Sequence, residues 1–200
     1  MAENPGQAVG IRRHIPNLIT LARAAVGMPY FVVLAFPESQ EAMAVAAALF
    51  LVSMAGDIAD GWLARRWGAE SVLGRVMDPF IDKVIIVGSL IYCINVPPRI
   101  VAPWMVVLVL VRELGVTALR GYVESLGTGF PAVAWGKAKT FVQCVAITAV
   151  LVTGAMAGPE PPAGAVGMTV AFVWIMVAVV VLSGLAYLWR AWPILRHGPR

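Results

Sequence analysis

The sequence predicts an all-α polytopic membrane protein built as a bundle of six transmembrane helices. Of its 200 residues, 60% are hydrophobic and 13% are charged, whereas about 25% of the residues of a soluble domain are charged. The apolar residues form long continuous runs without the alternation of β-strands, which excludes an outer-membrane barrel. The basic residues collect at one side of these runs. We therefore expect one membrane domain over residues 1–200, with a short interfacial segment before the first helix.

Six apolar stretches are each long enough to cross a bilayer, which takes roughly 20 residues. In chain order, the predicted spans are residues 17–37, 40–64, 71–95, 100–121, 132–156 and 166–189. Turn-forming residues, mainly proline and glycine, separate them at 37–41, 68–70, 97–99 and 158–162. Short connections between long apolar stretches predict helices that cross alternately in opposite directions.

The distribution of lysine and arginine predicts the orientation, because short cytoplasmic loops retain positive charge. Arg99 is the one basic residue expected on the outer side. The basic residues expected on the inner side are Arg12, Arg13, Arg23, Arg65, Arg66, Arg75, Lys83, Arg112, Arg120, Lys137, Lys139, Arg190, Arg196 and Arg200. The chain is therefore expected in the inner (cytoplasmic) membrane of the cell. Both of its termini are expected on the cytoplasmic side. Since this charge lies at helix ends beside anionic lipids, it does not indicate a nucleic-acid partner.

All four aspartates of the chain lie in or beside the second and third spans: Asp57, Asp60, Asp78 and Asp82. A carboxylate inside a spanning helix costs about 2.5 to 3.5 kcal/mol on insertion scales, so a cluster of four indicates a wet cavity or a bound cation. The members of each pair are three or four residues apart and therefore share a helix face. Oxygen ligands without histidine or cysteine favour a hard divalent ion such as Mg²⁺ or Mn²⁺.

The segment that holds these aspartates resembles the signature of the CDP-alcohol phosphatidyltransferases, D-x2-D-G-x2-A-R-x8-G-x3-D-x3-D. It runs from Asp57 to Asp82, and every fixed position matches. Eight fixed residues at fixed spacing match by chance in a chain of this length on the order of once in a million.

This resemblance implies a six-helix membrane enzyme, usually a homodimer, in which an alcohol displaces CMP from a CDP-linked lipid. It also implies that the four aspartates hold the divalent ions, two being expected, and that Asp82 acts as general base on the attacking hydroxyl. Gly61, Arg65 and Ser71 match positions that contact the CDP group in the family, and Gly74 gives that group room. In the first helix, Asn17 and Thr20 lie three apart on one face. Asn17 either caps the helix or, with Thr20, contacts the CDP-lipid.

Several segments between residues 14 and 145 are similar to bacterial phosphatidylglycerophosphate synthases. The similarity implies CDP-diacylglycerol as donor and sn-glycerol 3-phosphate as acceptor. The basic residues of the chain agree with this acceptor, because a dianionic phosphate needs several cationic hydrogen-bond donors. The candidates are Arg112, Arg120, Lys137 and Lys139, although a positive-inside bias explains any one of them equally well. Glu113 lies within the span and can form a supporting ion pair with Arg112.

Two alternatives stay open at this point. Inositol phosphate also carries a phosphate, so a phosphatidylinositol phosphate synthase or another CDP-alcohol phosphatidyltransferase is the nearest competitor. In a different class, acidic residues on two helices could line the path of a cation transporter. The transporter is disfavoured because the aspartates occupy one end of their helices and the other half of the chain has no matching acidic set.

Overall fold

The computed structural model describes residues 27–67, 72–126, 135–158 and 161–197, and it describes the side chains at 27–56, 80–126, 138–158 and 161–196. Within these ranges the chain forms six helices, as predicted. The first, α1, covers residues 27–34 of the described part. The others are α2 (Gln40–Trp67), α3 (Val72–Cys93), α4 (Pro103–Ser125), α5 (Trp135–Ala155) and α6 (Ala163–His197).

Three of the connections between helices meet at one end of the bundle, which is called the loop end below. Gln40 at the start of α2 donates a hydrogen bond to the carbonyl oxygen of Ala157, between α5 and α6, at 2.8 Å. Arg99, between α3 and α4, lies 3.6 Å from the carboxylate of Glu38, between α1 and α2. The first, third and fifth connections lie at the same end of the bundle only when successive helices run in opposite directions. These contacts therefore support the predicted alternation.

A single apolar core runs through the bundle and receives side chains from all six helices. Helix α5 packs against α2, α3 and α6, and α4 packs against α3 and α6. Gly154 shows how closely α5 approaches its neighbours, since a Cβ atom at this position would lie 2.5 Å from Cγ1 of Val96. The largest fully buried apolar side chains include Phe50, Leu34, Met43, Leu90, Ile147, Leu151 and Met176.

The surface of the bundle carries many exposed apolar side chains, which only an apolar surrounding can accommodate. Among the described residues, two stretches are long and apolar enough to cross a membrane: Ala138–Ala155, with a mean hydropathy of 1.5, and Ala163–Arg196, which contains an 18-residue segment with a mean hydropathy of 2.7. This segment is the more hydrophobic, yet only 28% of it is buried. A core helix of a soluble protein is mainly buried, so this exposure favours contact with lipid. The remaining predicted spans stay predictions.

The last span was predicted to end at residue 189, which is wrong as the end of the helix. Helix α6 continues past this residue to His197 and contains Pro193. The reason is a second, smaller apolar cluster that hydropathy could not reveal. Buried Ala191 of α6 packs with Tyr187 and with Val123 of α4. Helix α4 likewise extends past the predicted residue 121 to Ser125. Packing between α4 and α6 therefore lengthens both helices beyond the predicted spans.

Candidate active site

The signature residues lie on two consecutive helices, away from the loop end. Asp57 and Asp60 belong to the second half of α2, where Gly61 and Arg65 follow, and Asp78 and Asp82 belong to the first half of α3, after Gly74. Their backbone is helical, so the spacings of three and four residues place each aspartate pair on one face of its helix.

Of the four aspartates, Asp82 is the one whose side chain the structure describes, and it is half-buried on α3. Within the described side chains, histidine, cysteine, aspartate and glutamate form no group of three that could hold a metal ion. The donor chemistry nevertheless fits a hard divalent cation, because all four residues are carboxylates carried at helical spacing by neighbouring segments of the chain. The predicted donor-site residues Asn17, Thr20 and Ser71 lie outside the described residues.

A buried cluster of charged side chains lies between α4 and α5. The carboxylate Oε1 of Glu113 accepts a hydrogen bond from Nζ of Lys139 at 2.6 Å and another from Nη1 of Arg112 at 3.3 Å. The side chain of Glu113 is 7% exposed, and those of Arg112 and Lys139 are each 8% exposed. The predicted ion pair between Arg112 and Glu113 is confirmed, and Lys139 is the closer partner.

Helix α6 adds an aromatic residue to this cluster. The guanidinium carbon of Arg112 lies 5.6 Å from the ring centroid of Tyr187, which is within cation–π range. Arg120, two helical turns beyond Arg112 on α4, donates from Nη2 to the hydroxyl of Tyr187 at 3.3 Å. Nothing in the sequence assigns the last helix a role, because a tyrosine among apolar residues is usual in a spanning helix. Tyr187 is therefore the residue of this site that sequence reasoning missed.

Several donors of the cluster have no hydrogen-bond partner in the described part of the chain. They are Nε and Nη2 of Arg112 and Nε of Arg120, all of them buried. Buried polar groups are nearly always paired, so these guanidinium N–H groups are available to an acceptor beyond the described side chains. The charges agree with this interpretation, since the described side chains of the cluster are three cations and one carboxylate, which leaves a surplus of two positive charges. Such an arrangement is suited to bind an anion with more than one negative charge.

A polar layer lies one helical turn further toward the loop end. Gln143 follows Lys139 by four residues on α5, is 1% exposed and leaves its amide nitrogen unpaired among the described residues. Ser53 precedes Asp57 by four residues on α2 and is 7% exposed, with its hydroxyl also unpaired. The two helices are in contact at this level, where the thiol of Cys144 lies 3.2 Å from the sulfur of Met54.

The structure thus brings together three of the four residues predicted to bind the acceptor phosphate: Arg112, Arg120 and Lys139. Lys137 lies on α5 two residues before Lys139, and its side chain is outside the described part. Residues two apart do not share a helix face, so Lys137 and Lys139 occupy different register positions. Arg112 lies in the middle of α4 instead of at its end, because the helix begins at Pro103 and continues to Ser125.

A scan against protein-family models matches residues 13–185 to the CDP-alcohol phosphatidyltransferase family. The match covers most of the chain and includes the aspartates, the charged cluster on α4 and α5 and most of α6. The chain therefore belongs to the CDP-alcohol phosphatidyltransferase family. It is a membrane protein and a transferase of phospholipid biosynthesis, as its sequence predicts.

Three curated relatives indicate which members of this family the chain is similar to. A probable phosphatidylglycerophosphate synthase of Mycobacterium tuberculosis is 36% identical over 192 residues, which cover 93% of this chain and 86% of the relative. The CDP-diacylglycerol--glycerol-3-phosphate 3-phosphatidyltransferase of Bacillus subtilis is 30% identical, with 92% of this chain and 97% of the relative covered. An enzyme of the same name from Pseudomonas fluorescens is 28% identical, with 94% of each chain covered.

Proposed function

We propose that the protein transfers a phosphatidyl group from CDP-diacylglycerol to sn-glycerol 3-phosphate, releasing CMP and forming phosphatidylglycerophosphate. The observation that carries this proposal is the buried cation cluster of Arg112, Arg120, Lys139 and Glu113, with its unpaired guanidinium donors. The names of the relatives from Bacillus subtilis and Pseudomonas fluorescens, which specify glycerol 3-phosphate, support the same acceptor.

The surplus charge of the cluster selects for a phosphorylated acceptor. A phosphate monoester carries between about −1.5 and −2 charges at neutral pH, because its second pKa is near 6. It would neutralise the surplus of two positive charges and accept hydrogen bonds from the unpaired N–H groups of Arg112 and Arg120. A neutral alcohol such as serine or inositol supplies no such charge, and it would leave buried cations without a counterion.

The aspartates would hold the donor through divalent cations. Asp57, Asp60, Asp78 and Asp82 are the residues that would bind two Mg²⁺ or Mn²⁺ ions, which neutralise the diphosphate of CDP-diacylglycerol and stabilise the charge of an in-line displacement. Gly61, Arg65, Ser71 and Gly74, together with Asn17 and Thr20, would contact the CDP-lipid.

Asp82 would act as the general base of the reaction. Its carboxylate takes the proton of the acceptor hydroxyl while that oxygen forms a bond to the phosphorus that carries the diacylglycerol. The bond from this phosphorus to the bridging oxygen breaks, and CMP leaves with the electron pair. Lys139 and Arg112, with Lys137 and Arg120, hold the acceptor phosphate during this step and leave the far hydroxyl of the acceptor free to react.

The proposal includes an arrangement in the membrane. The chain forms one domain over residues 1–200, crosses the inner membrane six times, and keeps both termini and the active site at the cytoplasmic side. It acts as a homodimer among membrane lipids. The contacts at the loop end support this arrangement, because Arg99 lies at that end, whereas Arg120 and Lys139 lie toward the opposite ends of α4 and α5.

An acceptor panel tests the proposal directly. Purified protein in mixed micelles with CDP-diacylglycerol and Mg²⁺ or Mn²⁺ is expected to release CMP with sn-glycerol 3-phosphate and not with serine, inositol or inositol phosphate. Equal release with inositol phosphate would assign the chain to the competing synthase and refute the acceptor.

A pair of arginine variants then tests the cluster itself. Arg112→Ala removes a buried cation with open donors, and we expect it to raise the acceptor KM at least about tenfold, since a hydrogen bond to a charged group contributes about 1.5 to 3 kcal/mol. Arg99→Ala is the matched control, because Arg99 is 69% exposed and paired with Glu38 at the loop end. Equal effects of the two substitutions would contradict the assignment of the cluster.

A further inference from the structure

Tyr187 of α6 contacts two arginine side chains of α4 by two different kinds of interaction. Its ring lies under the guanidinium group of Arg112 at 5.6 Å, and its hydroxyl accepts a hydrogen bond from Nη2 of Arg120 at 3.3 Å. Tyr187 itself is 3% exposed. One buried side chain therefore restrains both guanidinium groups.

The position of the ring is fixed by packing on its other side. Tyr187 forms the second apolar cluster with Val123 and Ala191, both of which are fully buried. A side chain packed in this way has few alternative rotamers, so the flexible arginines adapt to the ring and the ring does not adapt to them.

The backbone of α6 restrains Arg112 at a second point. A Cβ atom at Gly184, one turn before Tyr187, would lie 3.2 Å from Cγ of Arg112, which is a tight contact. Glycine at this position lets α6 approach the aliphatic part of the arginine, while Tyr187 contacts its guanidinium group. Helix α6 thus touches Arg112 at its stem and at its charged end.

These restraints leave the ligand-binding donors open. Glu113 accepts a hydrogen bond from Nη1 of Arg112, and Tyr187 accepts one from Nη2 of Arg120. Nε and Nη2 of Arg112 and Nε of Arg120 are buried and unpaired within the described residues. Arginines that are held by fixed partners and keep free N–H groups lose less conformational entropy when they bind an anion.

We propose that Tyr187 is a positioning residue for the acceptor: it holds Arg112 and Arg120 so that their free N–H groups bind the acceptor phosphate. This inference rests on the proposed function. The family match ends at residue 185, so the inference assigns a role to a residue beyond the matched segment, on the one helix whose sequence suggested none.

The first test is Tyr187→Phe, which keeps the ring and removes the hydroxyl that receives Arg120. The acceptor KM is expected to rise about tenfold, whereas kcat and the KM for CDP-diacylglycerol stay within about twofold. Tyr187→Leu also removes the ring face under Arg112 and should raise the acceptor KM further. Tyr30→Phe is the matched control, because Tyr30 is 2% exposed and its hydroxyl donates to Ser89 at 2.7 Å, outside the cluster. It should leave the acceptor KM unchanged.

A glycine pair tests the second restraint. Gly184→Ala places a methyl group against Arg112 and should raise the acceptor KM, whereas Gly167→Ala on the same helix meets no atom within 4 Å and should not. In an Arg120→Met background, Tyr187→Phe should add no further loss, since the two groups act as one unit. Full additivity would overturn the coupling.

The outcomes separate the inference from the function on which it rests. Wild-type activity and the thermal shift produced by glycerol 3-phosphate are measured first. If the wild type neither binds nor uses glycerol 3-phosphate, the proposed function and the inference both fail. If the wild type uses it and Tyr187→Phe keeps the wild-type acceptor KM, the inference alone is overturned. A fall in kcat and donor affinity equal to the change in acceptor KM would indicate a general structural role and would also overturn it.

Discussion

Replacing Glu113 by glutamine should destabilise the protein strongly, because it removes the carboxylate that two buried cations share among the described side chains. The substitution keeps the size of the side chain and removes its charge. Lys139 at 2.6 Å and Arg112 at 3.3 Å, each 8% exposed, would then lie buried without their counterion. Removing one partner of a buried ion pair costs about 3 to 5 kcal/mol. For a chain of this length, 1 kcal/mol corresponds to roughly 2–4 °C in Tm, so we expect Tm to fall by about 10 °C.

The assay is the thermal unfolding of detergent-purified protein, followed by tryptophan fluorescence. Glu38→Gln is the matched control, since Glu38 also pairs with an arginine but is 72% exposed at 3.6 Å from Arg99. Exposed pairs contribute about 0 to 1 kcal/mol, so Tm should change by no more than about 4 °C. Similar shifts for the two variants would refute the reasoning that burial of the Glu113 cluster determines its contribution.

Three further predictions concern catalysis, the metal ions and the packing of the bundle. Asp82→Asn should lower kcat at least about a hundredfold while the protein elutes as a folded species in size-exclusion chromatography, and retained turnover would exclude Asp82 as the base. Chelation with EDTA should abolish CMP release, and added Mg²⁺ or Mn²⁺ should restore it; release that persists in EDTA would argue against the aspartates as ion ligands. Gly154→Ala should lower Tm because the new methyl group would overlap Val96, whereas Gly164→Ala, which meets no atom within 4 Å, should not. Equal Tm values would show that the bundle adapts at Gly154.

The helices could be predicted from the sequence because their main requirement is local. A continuous apolar run must satisfy its backbone hydrogen bonds internally, so it becomes a helix wherever it meets lipid. The starts of α2 and α3 and the end of α5 accordingly lie within one residue of the predicted span limits. The prediction failed at the end of α6, where hydropathy stops at residue 189 but the buried contact of Ala191 with Val123 and Tyr187 continues the helix.

The candidate site was predictable to the extent that its residues differ chemically from their surroundings. Arg112, Glu113, Arg120 and Lys139 are conspicuous in an apolar chain, and their charges agreed with the anionic acceptor that the resemblance implied. The sequence could not show that Lys139 is the nearest partner of Glu113, because the two residues are 26 positions apart and meet only when α4 and α5 pack. It could not single out Tyr187 either, since the interaction with Arg112 depends on the rotation of α6.

The sequence by itself determined the class of the protein, because long apolar runs, one-sided positive charge and fixed aspartate spacing are properties of local segments. The tertiary structure decided which of many basic residues face one another, which of them are buried, and which donors stay open. The physical reason is that a helix fixes the spacing of its own side chains, whereas the rotation and depth of each helix in the bundle depend on packing against all its neighbours.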